Sequence, residues 1–146
     1  MKPLTTTLFM LMLCLSKGIF AQTAHKPALF SNQPDRLICS AQSLANAFTA
    51  SEGDPVNFNF SNNTNFSGRV LSNITKYSNL QSMTIQLNGY DNAVFHLSKQ
   101  INEDRTVSFV GRIMHKDASD GFMIEQDGTG YAFKKINTER ILELCH

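Results

Sequence analysis

The sequence predicts a mainly β fold, with α+β as the alternative class: an antiparallel sheet forming a roll or open barrel, with an N-terminal helix packed on it and a short C-terminal helix. Three observations point there. Met83, Ile85 and Leu87 alternate with Thr84, Gln86 and Asn88, the period of a half-buried strand. Two polar turns, at residues 101–106 and at Asp127-Gly128, each divide a pair of apolar-patterned runs in the manner of a hairpin. Clear helical spacing occurs ahead of Ser51, and no Gly/Ser or Pro-rich linker divides the chain.

Residues 1–21 read as a cleavable secretory signal. Lys2 supplies a positive start, residues 8–15 (LFMLMLCL) are an unbroken apolar run, and the segment ends at the small Ala21, after which cleavage is expected. A membrane anchor needs roughly 20 apolar residues, and Lys17 interrupts this run too early. Lipid attachment at Cys14 is disfavoured by the bulky Leu13 before it. The mature chain is therefore expected to be secreted or periplasmic, with no membrane span once the signal is removed.

Residues 22–34 are polar and carry prolines, and are expected to form a flexible lead-in to one globular domain at 35–146. Leu37, Ile38, Ala41, Leu44, Ala45 and Phe48 recur every three or four residues, predicting a helix capped by Asp35 and ending near Ala50, where Gly53 and Pro55 stop it. Val56, Phe58 and Phe60 alternate with asparagines as a strand. Residues 68–77 fit either a helical stripe or, given their Val, Ile and Thr, a strand, which is preferred.

Residues 93–100 and 107–115 should pair about a turn centred near Glu103. That register sets Leu97 opposite Phe109, Phe95 opposite Gly111 and Ala93 opposite Ile113, all facing inward. Residues 121–126 and 129–136 form a second hairpin through a type I′ turn at Asp127-Gly128, with Phe122 facing Phe133 and Ile124 facing Tyr131. Residues 137–144 predict a short helix that returns Cys145 toward Cys39.

Cys39 and Cys145 are the cysteines left after processing, and an oxidising compartment predicts a disulfide between them. Closing a loop of roughly 100 residues stabilises by about 4–5 kcal/mol. A reactive Cys145 activated by the adjacent His146 is the sharper alternative, but neighbouring residues seldom reach the geometry it needs. Loss of Lys2 and Lys17 leaves 11 basic against 12 acidic residues. That near-balance, with no basic run, argues against a nucleic-acid partner.

Histidines and carboxylates offer two metal readings, and both are weak. His96 is expected opposite Val110, five residues from His115, too far for a shared ion. Placing Gly121 sixth in a calcium loop puts Lys116 first and Ala118 third, where carboxylates belong, so Asp117, Asp120, Glu125 and Asp127 are expected to shape turns. No catalytic, cofactor-binding or metal-ligating set is expected. Asn62, Asn65 and Asn73 head three N-x-[ST] triplets, which matter only in a eukaryotic secretory pathway.

Outside the signal stand nine Phe and three Tyr, most of them expected in the core. Phe66, Tyr77 and Tyr90, near loop ends, are the candidate binding surface. The leading expectation is a binding or interaction module for a protein or small ligand outside the cytoplasm. The alternatives are a secreted enzyme inhibitor presenting residues 62–68 or 88–92, and a hydrolase assembling scattered Asp, Glu and His.

Overall fold

The structure, a computed structural model, describes residues 25–61 and 63–138. Eight strands form one antiparallel sheet, nearly closed into a barrel: β1 (Arg36–Ser40), β2 (Pro55–Asn59), β3 (Asn65–Tyr77), β4 (Leu80–Leu87), β5 (Val94–Ile101), β6 (Val107–Met114), β7 (Asp120–Asp127) and β8 (Gly130–Asn137). Their order is β1-β8-β7-β6-β5-β4-β3-β2, so every sequential neighbour from β2 to β8 pairs and β1 joins β8. The remaining seam, between β1 and β2, is bridged where the Ser61 N–H donates to the Ile38 carbonyl at 3.0 Å. The helix α1 (Ala41–Ala47) connects those two strands across one end of the barrel.

The helix expected from Asp35 therefore begins six residues later. Residues 36–40 pair with β8 instead, burying Leu37 and Cys39 on alternate positions. The three-and-four spacing read as one helix was the sum of a strand and a short helix. Ser40 is the actual cap, its hydroxyl accepting from the Ser43 N–H at 3.1 Å, the N-terminal hydrogen bond that Ser is well shaped to accept.

The strands expected at residues 68–77 and 83–87 lie within β3 and β4, and the one expected at 56–60 is β2, which stops one residue short of Phe60. Both hairpins form, each slipped by two residues. In the first, Leu97 lies opposite Gly111, Phe95 opposite Ile113 and His96 opposite Arg112. Its turn, residues 102–106, is centred one residue later than expected: Arg105 N–H donates to Asn102, Asn102 N–H to Thr106, and Arg105 takes a φ of 67°. In the second, Asp127 pairs with Gly130, so the turn residues are Gly128 and Thr129, and Ile124 faces Phe133. Only Gly128 has positive φ (58°), whereas a type I′ turn demands it at both central residues. A two-residue slip leaves each side chain on its original face, and for that reason the expected core survived both errors.

All nine phenylalanines of residues 22–138 are buried. An eight-stranded barrel is just wide enough for its own side chains to fill. Here rings fill it in an unbroken succession: Phe58 to Phe95 (5.2 Å), Phe95 to Phe133 (5.4 Å), Phe133 to Phe60 (5.0 Å), Phe60 to Phe66 (5.2 Å) and Phe66 to Phe122 (5.8 Å). Edge-on geometry dominates, the arrangement that places positive ring edges on negative faces. Gly111 is the one thin point on β6, where a Cβ would lie 2.6 Å from the His96 carbonyl oxygen and 3.1 Å from Phe95.

β6 and β7 pair only at Arg112–Met123 and Ile113–Phe122, then separate toward the turn end. The Tyr131 hydroxyl fills the gap, accepting from the buried Phe109 N–H at 3.1 Å. A backbone donor that would otherwise be orphaned is thereby satisfied.

Residues 25–34 are not a free lead-in. Leu29 and Phe30 N–H groups donate to the two oxygens of Asp120 (2.6 and 2.9 Å), the Pro27 carbonyl accepts from Ser119 N–H (2.9 Å), and Phe30 is completely buried. This strap closes the barrel end opposite α1. Among the described residues Cys39 has no disulfide partner; its side chain is packed inside, and burial pushes the thiol up to about 11. Its expected partner Cys145, the C-terminal helix expected beyond Thr138, and the signal segment lie outside the described residues; Asn137 ends β8, and the buried Thr138 hydroxyl donates to the Ala118 carbonyl at 2.8 Å.

Candidate binding surfaces

The three aromatic residues expected to form one surface do not share an exposed face: Phe66 and Tyr90 meet inside, and Tyr77 stands apart. Phe66 points into the barrel from β3, because its pairing with Phe58 puts both on the inner face. Tyr90 sits half-buried in the β4–β5 loop, stacked on Phe30 at 4.9 Å and edge-on to Phe66 at 5.3 Å. Its hydroxyl accepts from the Gln33 amide at 3.0 Å. Tyr77 is 69% exposed at the far end of β3, so β4, eight residues and roughly 25 Å long, separates it from Tyr90.

Neither expected inhibitor loop stands free. Residues 65–68 belong to β3, and the 88–92 turn is anchored by Tyr90 and by Leu87 N–H donating to the Ala93 carbonyl at 2.8 Å. Beside that turn lies a cleft of about 430 Å³ holding His115, Asp91 and Asp117. His115 Nδ1 accepts from the Asp117 N–H (3.2 Å) and Nε2 lies 4.0 Å from Asp91. Among the described residues no hydroxyl or thiol hydrogen-bonds to this imidazole. His96 is distant, paired with Arg112 on the outer face.

The barrel exterior divides by charge. On β7, β8 and β1 the outward residues form ion pairs, Arg36 with Asp127 (2.8 Å) and Lys134 with Glu125 (3.5 Å). Across β3 to β6 two lateral rows face outward. One is Ser72-Thr84-His96-Arg112, continuing to Met123 on β7; the other is Ile74-Ser82-Ser98-Val110. Only Arg112 among these carries a fixed charge. Burial, assisted by the Arg112 guanidinium, holds His96 below its usual value.

Comparison with protein-family models, curated proteins and solved structures returns no match. Geometry alone ranks the surfaces.

The centre of the β3 to β6 face is hydroxyl-lined. Ser82 and Ser98 hydrogen-bond each other at 3.1 Å, and Thr84 and His96 approach at 3.4 Å. Ile74 (54% exposed) and Val110 (61%) stand at its two sides, about 14 Å apart across three strand spacings. Where β6 and β7 part, a shallow cleft of about 400 Å³ opens between His96, Val110 and Met123. Depletion of acidic and lysine side chains, with Met and Arg present, is a feature of the core of a protein interface, and Arg112 and Met123 supply those two types here. The sequence carried the signal: Val110 alternates with inward Phe109 and Gly111, so an apolar residue was bound for solvent. The aromatic residues drew attention instead.

Proposed function

We propose that this chain is an exported binding module that holds a protein partner against the outward face of β3 to β6. The carrying observation is the pair of rows described above: short hydroxyl side chains flanked by exposed Ile74 and Val110, with Arg112 the sole fixed charge. A filled interior supports an external site, because the ring succession from Phe58 to Phe122 occupies the space in which a barrel would otherwise hold a small molecule. The breadth of the face suits a macromolecule. Export is read from residues 1–21, and a bond between Cys39 and Cys145 belongs to the same proposal through the oxidising compartment.

Capture from the exported fraction with three immobilised proteins tests the site. Wild type and Lys134→Glu, a change on the ion-paired side, should retain the same partner, and the double variant Ile74→Lys, Val110→Glu should lose it. Equal retention by all three removes the β3 to β6 face from consideration.

A further inference from the structure

The strap reveals a second site, independent of the outer face. Residues 25–35 add no strand to the sheet, yet they bury one ring completely. Phe30 is stacked on Tyr90 (4.9 Å), edge-on to Phe122 (5.3 Å) and tilted against Phe66 (6.2 Å). Beside that cage the Asp120 side chain, buried at 8% exposure, receives two successive backbone N–H groups, those of Leu29 and Phe30. The Lys135 ammonium donates to the Gln33 carbonyl at 2.6 Å. An aromatic pocket, a carboxylate for consecutive amides and an ammonium for a carbonyl three residues on are together the elements that recognise an extended peptide.

Strap removal need not disturb the ladder. Its backbone meets the barrel backbone at Ser119 N–H to Pro27, just before β7, and at Lys135 N–H to Asp35, one step past the last β1–β8 pair, while its other close contacts go to the Asp120 and Lys135 side chains. We infer that the cage of Phe66, Tyr90 and Phe122 with Asp120 is a peptide-docking site that the chain keeps occupied with its own strap. The occupant in trans is an extended segment of a partner protein with an apolar-aromatic pair in the Leu29-Phe30 positions. The strap itself defines that chemistry, since it is the sequence seen to satisfy every recognition element.

A tethered competitor acts at an effective concentration in the millimolar range, so a free peptide is held off until the tethered ring is removed. The test uses full-length protein and a fluorescein-labelled peptide of residues 26–33, followed by polarisation. Phe30→Ala should bind this peptide saturably and at least tenfold more tightly than wild type, and a peptide with Ala in the Phe30 position should not bind. If Phe30→Ala does not fold, Phe30→Leu, which still empties part of the cage, replaces it with the same ordering expected. A folded variant that ignores the peptide, binds both peptides alike, or binds no better than wild type overturns the inference. None of these results bears on the outer-face proposal.

Discussion

Replacing Phe30 by Ala measures how firmly the strap belongs to the core. The ring is fully buried and touches three other rings, so its loss falls in the class of large-to-small core changes that cost about 3–5 kcal/mol. One consideration places the value at the lower end. Once the strap detaches, no further stability can be lost through it, so the cost is limited to the free energy with which the strap docks. A loss of about 3 kcal/mol is expected; with a urea slope on the order of 1.5 kcal/mol per M, the midpoint falls by roughly 2 M. Thermal unfolding should shift down by roughly 10 °C. Phe133→Ala, on the central β8 strand with no such limit, should cost at least as much. A Phe30→Ala loss under about 1 kcal/mol, with Phe133→Ala behaving as expected, would falsify the placement of Phe30 in the core.

Other substitutions probe particular bonds. Tyr131→Phe leaves the buried Phe109 N–H without an acceptor and should cost about 1–3 kcal/mol in urea denaturation; a neutral result means that water or a shifted strand takes the hydroxyl's place. Gly128→Ala places a side chain at a φ of 58° and should destabilise by about 1 kcal/mol, whereas the same change at a turn position of negative φ would not. In the reduced protein the folded Cys39 thiol is raised from near 9 to about 11 by burial, so the unfolded state releases its proton first. Stability from this group is complete below pH 9 and lost as pH climbs toward 11, a decline that Cys39→Ser should lack. In the exported protein the proposed bond to Cys145 should protect Cys39 from alkylation of unfolded, unreduced protein, and a modified Cys39 removes that bond. Intact mass of the exported protein should correspond to a chain starting at Gln22, and a retained residue 1 excludes the export reading.

Face was easier to read from sequence than position along a strand. Phe95, Leu97, Phe109, Ile113, Phe122, Ile124 and Phe133 all point inward as their alternation implies, but both registers were displaced by two residues. Alternation is periodic and tolerates such a slip; the turn that sets register depends on a few φ values, those of Arg105 and Gly128, that residue type does not dictate. Residues 36–40 became a strand because β8 offered them an edge, a long-range fact absent from the local spacing. Phe30 escaped notice for a similar reason: a lone aromatic among polar residues has no period, and its partners Tyr90, Phe122 and Asp120 are 60 to 92 positions away. Phe66 was misplaced although the information was present. A hairpin joining residues 56–60 to the next strand puts Phe66 on the face of Phe58.

Photo-crosslinking places the partner directly. With a benzophenone amino acid substituted at Val110 in one protein and at Lys134 in another, irradiation of each in the exported fraction should yield a heavier adduct from position 110 and none from position 134. Adducts from position 134 alone, or from both equally, contradict docking on the β3 to β6 face.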